Sequence, residues 1–448
     1  MRIIIVGAGE VGSHLSESLS VEGHEVVLID RDSERLRRLE KKLDLLTIVG
    51  NGASAQILEQ GGIAQTDLFI AVTNIDEVNL VASILSREYG VKHRVARVRN
   101  EEFLSPGSPL NERRLGLDLL INPDRVMAAE IMRLTDLSEA FEFIDFAGGQ
   151  VVLLGYRIKE KNPICGLTLE DLREIRGIYD FVIVSIVRAN QAIIPRGQDI
   201  IEPGDSIYLV ARHSEIPTLE YLLNLTSKAP QRVFIIGGGR VGSLVAQQME
   251  SKRVDVRLVE KDPVRCHKLS ETLGKTIVLN LDGLESRDLL DEGIDRADLV
   301  ISVTGDDDTN ILTSLLAKHH GTAKCITRID RPDFIPLLEK LGIDMALSPR
   351  LLAASTILKF VRRGSIVSVA SLLGTDAEVL EMVVPDKARF RKRPIKELGF
   401  PHGANMGAVV RNGQVFIPTG DTVLEPGDDV VVFSLRDSVR EVERFFKP

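Results

Sequence analysis

Short aliphatic runs alternate with longer amphipathic stretches along the first part of the chain. Strands are predicted at 2–6, 26–29, 47–49 and 68–72, and helices at 11–22 and 32–43. Nearly continuous aliphatic strands are typical of parallel sheets, because helices cover both faces of such sheets. The pattern therefore predicts an α/β lobe with a doubly wound, Rossmann-like parallel sheet.

The whole pattern occurs twice. Gly7-Ala-Gly-Glu-Val-Gly12 follows the first strand, and Gly237-Gly-Gly-Arg-Val-Gly242 follows a similar strand 230 positions later. A Glu-Pro-Gly-Asp turn at 202–205 also recurs at 425–428. The segments that carry this turn contain short strands, tight turns and one short helix, which are typical of a small α+β lobe. The chain is therefore predicted to hold two Rossmann-like lobes in tandem, each followed by a small α+β lobe.

The repeat also sets the expected boundaries. The Rossmann-like lobes are expected at 1–123 and 231–349, the crossover helices at 124–140 and 350–365, and the α+β lobes at 141–225 and 366–448. Helix 124–140 has an apolar face with no evident partner in its own lobe, so packing within that lobe and docking on a neighbour both stay open.

Composition narrows the class of protein. The 448 residues include 56 basic and 65 acidic side chains, a net charge of −9, which argues against a nucleic-acid partner. Three cysteines without CxxC spacing favour reduced thiols over a disulfide framework or a zinc site. No apolar run approaches the ~18–20 residues of a membrane span, so we expect a cytoplasmic protein.

The first glycine-rich turn carries the main candidate chemistry. Gly7 permits the turn, Gly9 lets the backbone approach a pyrophosphate, and Gly12 lets the helix pack on the strand. Asp30 ends the second strand, where a carboxylate can accept hydrogen bonds from a ribose. The candidate nucleotide site here comprises Gly7, Gly9, Glu10, Val11, Gly12, Asp30 and Arg31. The alternative is a glycine turn that serves packing alone.

The second turn repeats the arrangement with one change. Its candidate residues are Gly237, Gly239, Arg240, Val241, Gly242 and Glu260. Arg240 replaces Glu10, so this loop either favours a more anionic ligand or presents Arg240 to solvent. A carboxylate at each second strand would repel a 2′-phosphate, which disfavours NADP at both sites.

Polar residues at later strand ends complete the candidate set. They are Asn51, Gly52, Thr73, Asn79 and Arg97 in the first lobe, and Asp282, Thr304 and Arg328 in the second. The carboxyl ends of parallel strands line the ligand crevice of such folds. Asn51 and Thr73 would contact an adenosine and Arg97 a phosphate; a turn, a cap or a surface ion pair is the alternative for each.

Catalytic signatures are missing from the sequence. It has no HExxH, no GxSxG and no redox cysteine pair, and its second half is another glycine-rich lobe rather than a substrate domain. Acidic residues at 76–77 and 306–308 are better explained by the dipoles of the helices they open than by a cation site. We expect no catalytic residues and no metal site.

The ordered, duplicated motifs resemble the RCK (KTN) family of potassium-transport regulators over essentially the full length. The resemblance rests on both glycine loops, the two strand-end acids, the segment 72–79 with its counterpart 303–310, and the two Glu-Pro-Gly-Asp turns. It implies that the residues named above bind NAD(H) and ATP or ADP. Arg240 and the insertion at 280–283 depart from the stronger first pattern and leave the second site's ligand open.

The resemblance also implies partners and a location. Such proteins form homo-oligomeric rings of RCK domains at the inner face of the membrane. There they gate a membrane-embedded potassium-translocating subunit of the TrkH or TrkG type. Three alternatives stay open: an NAD-dependent oxidoreductase, a redox-sensing repressor, which the acidic charge disfavours, and a regulator of potassium efflux.

Overall fold

The computed structural model describes residues 1–104, 112–135, 140–175, 181–189, 191–224, 230–361, 366–371, 377–386, 390 and 392–447. Contacts between residues group the chain into two compact units. Met1–Met132 and Pro230–Val361 form the first unit, and Arg133–Ala229 and Arg362–Pro448 form the second. The first unit holds the two parallel sheets and the second holds two antiparallel sheets.

The first lobe is a parallel sheet flanked by helices. Its strands are β1 (Arg2–Val6), β2 (Glu25–Asp30), β3 (Leu46–Val49), β4 (Leu68–Ala71), β5 (His93–Arg97) and β6 (Leu119–Ile121). Its helices are α1 (Glu10–Val21), α2 (Ser33–Glu40), α3 (Ala55–Gln60), α4 (Asp76–Glu88), α5 (Glu101–Leu104), α6 (Glu112–Leu115) and α7 (Pro123–Thr135). The strand order is β3-β2-β1-β4-β5-β6 and every neighbouring pair is parallel. The order reverses between β1 and β4, which places a ligand crevice at their carboxyl ends.

The first small lobe is an antiparallel sheet with two short helices. Its strands are β7 (Glu142–Phe146), β8 (Val151–Arg157), β9 (Phe181–Arg188), β10 (Gln191–Ile193) and β11 (Ser206–Arg212). Its helices are α8 (Leu169–Ile175) and α9 (Ile216–Leu222). The strands pair in the order β10-β9-β11-β8-β7.

The second lobe repeats the first. Its strands are β12 (Arg232–Ile236), β13 (Asp255–Glu260), β14 (Ile277–Asn280), β15 (Leu299–Ser302), β16 (Lys324–Arg328) and β17 (Met345–Leu347). Its helices are α10 (Arg240–Met249), α11 (Pro263–Thr272), α12 (Ser286–Asp291), α13 (Asp307–His319), α14 (Ile335–Lys340) and α15 (Pro349–Val361). The order β14-β13-β12-β15-β16-β17 confirms the predicted tandem of doubly wound sheets.

The second small lobe has the same kind of antiparallel sheet. Its elements are β18 (Ile366–Ser371), β19 (Ala377–Val383), β20 (Ala404–Arg411), β21 (Gln414–Phe416), β22 (Asp429–Leu435) and α16 (Val439–Phe446). Within the second unit, apolar side chains of the two antiparallel sheets form one core, to which Phe146 and Val210 contribute from one sheet and Val379 and Phe433 from the other.

The repeated Glu-Pro-Gly-Asp turn has a structural role. Its aspartate is buried in both copies, and an arginine of the neighbouring strand donates to both carboxylate oxygens. Arg188 Nε and Nη2 lie 2.8 Å from the two oxygens of Asp205, and Arg411 Nε and Nη2 lie 2.8 and 2.7 Å from those of Asp428. Bidentate, charge-assisted hydrogen bonds of this kind hold the turn against the sheet.

Helix α7 begins at Pro123 and α15 at Pro349, one residue before the predicted starts of the crossover helices at 124 and 350. Residues 136–139 and 362–365 of these two predicted ranges lie outside the described residues, so where the helices end stays a prediction. Helix α15 packs on α1 of the first lobe, and its buried Ala354 and Ile357 share a core with Leu15 and Leu19. The helix that follows the second lobe therefore docks on the first. The lobe boundaries themselves stay predictions.

Candidate functional site

The first glycine loop connects β1 to α1 at the reversal of strand order. Gly7 has φ +109°, a conformation that side-chain-bearing residues rarely adopt. A Cβ on Gly12 would lie 1.8 Å from the carbonyl oxygen of Gly7, so helix and loop can approach this closely only at a glycine. A Cβ on Gly9 would have no atom within 4 Å, because the backbone there faces open space.

Asp30 joins the end of β2 to this loop. Its carboxylate accepts hydrogen bonds from the backbone N–H of Ala8 at 2.5 Å and of Asp32 at 2.8 Å. The side chain is half-buried and lines the cavity over the loop. A carboxylate accepts up to about four hydrogen bonds. Asp30 therefore keeps capacity for a ribose hydroxyl while it fixes the loop.

A cavity of about 720 Å³ lies over the loop and the strand ends. Of the residues predicted for the first site, its walls include Gly7, Gly9, Glu10, Val11, Asp30, Arg31, Asn51, Gly52, Thr73 and Arg97. Gly12 lies behind the loop, where it allows the close packing described above. Residues of the second half, Arg328, Asp330, Pro349 and Arg350, complete the wall.

The cavity is strongly basic. Among the described residues, its walls carry the arginines Arg31, Arg35, Arg38, Arg97, Arg99, Arg328 and Arg350 and the acids Glu10, Asp30 and Asp330. The Nε atoms of two of these arginines, Arg97 and Arg99, are buried and have no hydrogen-bond partner in the described part of the chain. A concave surface with this excess of cations attracts and retains anions.

Burial also lowers the pKa of Arg97. Loss of hydration lowers the pKa of its guanidinium, and the nearby cations Arg99 and Arg350 lower it further, while Asp76 and Asp124 oppose the shift. An anion placed in the cavity would relieve the repulsion among these arginines. The mutual proximity of these arginines and the excess of positive charge in the wall fit the phosphates of a nucleotide.

Asn79 lies beneath the cavity and not in its wall, and its contact with a ligand stays a prediction. Asn79 is fully buried, and its Oδ1 accepts from the backbone N–H and the hydroxyl of Thr73 at 2.9 and 2.8 Å. Its Nδ2 donates to the carbonyl oxygens of Thr73 and Arg97 at 3.0 and 2.9 Å. With both ends of its amide engaged, Asn79 positions two strand ends beneath the cavity.

One acidic residue does more than complement a helix dipole. The carboxylate of Asp76, at the start of α4, accepts from the backbone N–H groups of Arg99 and Asn100 at 2.8 and 2.7 Å. It thereby holds the segment after β5, which carries Arg99 into the cavity wall. Asp307 accepts in the same way from the backbone N–H groups of Asp330 and Arg331 in the second lobe. The recurrence of this aspartate in both repeats was the sequence signal that could have indicated its role.

The second glycine loop has the same backbone as the first. Gly237 has φ +108°, Gly239 faces open space, and a Cβ on Gly242 would lie 1.9 Å from the Gly237 carbonyl oxygen. Beside the loop, Val241 is buried. Thr304 donates to the buried Asn310, as Thr73 does to Asn79.

The carboxylate of the second site is more fully engaged. Glu260 is only 6% exposed and accepts from the backbone N–H of Gly238 at 3.0 Å and of Asp262 at 2.9 Å. Arg265 Nη1 lies 3.2 Å from the same carboxylate and neutralises it. Asp282 accepts from the backbone N–H of Leu284. Less hydrogen-bonding capacity is therefore left for a ribose here than at Asp30.

Two arginines predicted for the second site have different surroundings. Arg328 lines the cavity of the first site, where its Nη2 lies 3.1 Å from Asp330 Oδ1. Arg240 Nη1 lies 3.8 Å from Asp124 Oδ2 in the first lobe, so Arg240 takes part in an ion pair between the lobes. Sequence reasoning missed both placements, because each brings an arginine of the second repeat to residues of the first.

Metal binding and membrane insertion are two further properties that bear on function. Within the described ranges, no group of three His, Cys, Asp or Glu side chains is arranged to hold a metal ion. No helix in that part of the chain is long and apolar enough to cross a bilayer.

The sheet topology and the two glycine loops are typical of one class of protein. Two sheets of order 3-2-1-4-5-6, each with a glycine loop after its first strand and a carboxylate after its second, are those of a tandem Rossmann-type nucleotide-binding protein.

The family follows from sequence comparison. The TrkA-N domain model matches residues 3–123 and 233–349, and the TrkA-C domain model matches residues 153–224 and 379–447. The chain belongs to the TrkA family, which confirms the resemblance found from its motifs.

Named relatives are similar over their full length. The chain is 36% identical to "Trk system potassium uptake protein TrkA homolog 1" of Methanosarcina mazei, over 100% of both chains. It is 35% identical to "Trk system potassium uptake protein TrkA" of Halomonas elongata, over 100% of this chain and 99% of the relative.

Solved structures share the fold at low identity. The GsuK RCK domain has a TM-score of 0.61 at 20% identity and covers 99% of this chain and 94% of its own. The GsuK channel bound to NAD has a TM-score of 0.61 at 19% identity and covers 99% of this chain and 78% of its own. At this identity the likeness supports the fold class alone.

Proposed function

We propose that this protein is a cytoplasmic, nucleotide-binding regulatory subunit of a potassium uptake system. NAD(H) and ATP or ADP are its proposed ligands, and the cavity over the first glycine loop is the principal site. The observation that carries the proposal is that this cavity combines a glycine, Gly9, whose Cβ position faces open space, a helix N-terminus, and seven arginines against three acids among the described residues of its wall. A helix N-terminus with free N–H groups favours phosphate.

The roles of individual residues follow from their positions. The backbone of the loop from Gly7 to Val11 would hold a pyrophosphate. Asp30 would accept from a ribose hydroxyl, and Arg97 with Arg99 would pair with phosphate oxygens. NAD(H), ATP and ADP all carry such groups, whereas the carboxylate of Asp30 opposes the 2′-phosphate of NADP(H).

The second loop would bind more weakly. Its carboxylate, Glu260, is already paired with Arg265, and an incoming ribose would have to share or displace that partner. We therefore propose one high-affinity site in each chain, at the first loop.

The proposed role is regulation rather than catalysis. The relatives at 34–36% identity carry the name Trk system potassium uptake protein. We propose by this relationship that RCK domains of several chains assemble in a ring at the inner face of the membrane. The ring would gate a membrane-embedded potassium-translocating subunit of the TrkH or TrkG type. A ligand shifts such an assembly only by its difference in affinity for the two states.

Calorimetric titration of the full chain with NADH, ATP, ADP and NADPH tests the binding proposal. We expect saturable binding of NADH or an adenine nucleotide near one site per chain, and weaker binding of NADPH. Absence of binding by all four ligands would contradict the proposal.

A further inference from the structure

Two ion pairs occupy matching positions in the first unit. Glu10 Oε1 lies 3.3 Å from Arg350 Nη1, and Arg240 Nη1 lies 3.8 Å from Asp124 Oδ2. Each pair joins a glycine loop of one lobe to the first turn of a crossover helix from the other lobe. The two pairs are therefore the same contact, made once in each direction.

The residues of these pairs are equivalent by repeat and opposite in charge. Glu10 and Arg240 each follow the second glycine of their GxGxxG loop. Asp124 and Arg350 each follow the proline that opens α7 or α15. The first lobe thus presents two acids at this interface, and the second lobe presents two arginines.

We propose that this reversal of charge is a pairing code that matches a first lobe with a second lobe and rejects two like lobes. If two first lobes met by the same contact, Glu10 would face Asp124, acid against acid. If two second lobes met, Arg240 would face Arg350, cation against cation. Only the unlike pair of lobes places opposite charges at both contacts.

The apolar part of the interface does not by itself determine which lobes pair. Its core is made by aliphatic side chains, including Leu15 and Leu19 of α1 and Ala354 and Ile357 of α15. Apolar burial is non-directional, and the two repeats offer similar apolar faces, so it discriminates poorly between like and unlike lobes. Charges that repel a wrong partner supply specificity in such cases.

Burial sharpens the discrimination at one of the two contacts. Asp124 is only 4% exposed on its side chain, and its Oδ2 has no hydrogen-bond partner among the described residues. Arg99 Nη2 lies 3.3 Å from the other oxygen and balances part of this charge. A second carboxylate beside Asp124 would meet poor solvation, where like charges repel more strongly than at a surface.

The sharpest test exchanges the two loop residues in the full chain. Glu10→Arg with Arg240→Glu keeps the composition and net charge, yet it places like charges at both contacts within a chain. The same exchange makes like lobes of two chains complementary. The new arginine in the first loop would then face Asp124 of another first lobe, and the new glutamate in the second loop would face Arg350 of another second lobe. We therefore expect the lobes of this variant to pair with like lobes of a second chain and no longer with each other.

Cysteine pairs report which lobes meet. The rings of His93 and Phe360 lie 6.3 Å apart across the interface, so cysteines at 93 and 360 report unlike pairing. Lys324 is the repeat equivalent of His93, so cysteines at 324 and 360 report pairing of like lobes. Cys165→Ser removes the half-buried native thiol, and Cys266 and Cys325 are buried.

With a short bismaleimide, we expect the unexchanged chain to cross-link 93 to 360 within single chains. In the variant that combines Glu10→Arg with Arg240→Glu, the yield of this cross-link should fall at least severalfold. Cross-links between positions 324 and 360 of two different chains should then appear at the mass of a dimer. Unchanged yields from both reporters would overturn the proposal.

A double-mutant cycle at the exposed contact gives a second measurement that does not depend on cross-linking. Glu10 is 65% exposed on its side chain, so Glu10→Arg leaves packing intact. At pH 8, Glu10→Arg and Arg350→Glu should each lower the thermal midpoint by about 2–4 °C, and the double variant should recover most of the loss. Purely additive effects would overturn the proposal. Glu17→Arg, an equal charge change at an exposed position of α1, is the matched control and should leave the midpoint unchanged.

Discussion

Replacement of Gly9 by alanine should remove nucleotide binding at the first loop while leaving the fold intact. Gly9 has φ −71° and ψ −175°, an extended conformation that alanine adopts freely. The added Cβ would meet no protein atom within 4 Å and would project into the cavity. The methyl group would therefore occupy the space through which a phosphate approaches the N–H groups of α1.

The size of the effect follows from the hydrogen bonds that this displacement breaks. A hydrogen bond to a charged group contributes about 1.5–3 kcal/mol, and each ~1.4 kcal/mol is tenfold in affinity. Loss of one such bond predicts a decrease in affinity of roughly 10- to 100-fold. Stability should change little, since alanine restricts the unfolded chain more than glycine does but is a poorer N-cap at the start of α1.

Calorimetry with ADP and with NADH measures the affinity, and thermal unfolding without ligand checks the fold. Gly239→Ala is the matched control, because its loop has the same geometry, with φ −69° and ψ −169° and open space beyond the Cβ. If the first loop is the principal site, Gly239→Ala should bind nearly as the unaltered chain does. Normal binding by Gly9→Ala, with loss of binding in Gly239→Ala, would refute the assignment.

Three further predictions concern stability. Asn79→Leu leaves buried backbone groups at two strand ends without partners, so the free energy of unfolding in urea should fall by about 2–4 kcal/mol. Asp428→Asn removes the charge that Arg411 binds in a bidentate manner at a buried position, and a loss of about 3 kcal/mol is expected in the same measurement. Burial lowers the pKa of His14 from its ordinary value of 6.5, so the folded state binds this proton more weakly than the unfolded state. Stability should therefore decrease as the pH falls below 6.5, and His14→Gln should reduce this dependence; an NMR titration showing a pKa above 6.5 would contradict it.

Much of the fold could be predicted because the same order of motifs occurs in both halves of the sequence. Each glycine loop follows an aliphatic strand and is followed by a carboxylate at the end of the next strand, and this order suffices to define a parallel sheet. The predicted strand at 2–6 and the first glycine turn agree with β1 and with the positive φ of Gly7. Helix ends were predicted less accurately, as the helix predicted at 32–43 extends only from Ser33 to Glu40.

The site was less accessible to sequence reasoning, for physical reasons. Asn79 has the residue type and spacing of a ligand contact, but its burial beneath the strand ends is a property of packing. Arg35 and Arg265 are equivalent by repeat, yet Arg35 pairs with Asp32 while Arg265 pairs with Glu260. Small differences in side-chain geometry decide which carboxylate each arginine pairs with, and these differences cannot be predicted from the spacing of residues in the sequence.

The contribution of the second half to the first cavity was also unpredicted. Arg350 reaches the cavity because α15 leaves its own lobe and docks on α1. Hydrophobic periodicity showed that the crossover helices have an apolar face, but it left open which lobe covers that face. Contacts between repeats therefore required the structure.

We propose that a nucleotide bound at the first glycine loop controls potassium transport. The most direct measurement is potassium flux into vesicles that hold the membrane-embedded subunit of this uptake system, with the chain added and NADH, ATP or ADP titrated. We expect at least one of these nucleotides to change the flux severalfold with the unaltered chain and with Gly239→Ala, but not with Gly9→Ala. If the flux responds to nucleotide equally with Gly9→Ala, or never responds, nucleotide at the first loop does not control transport.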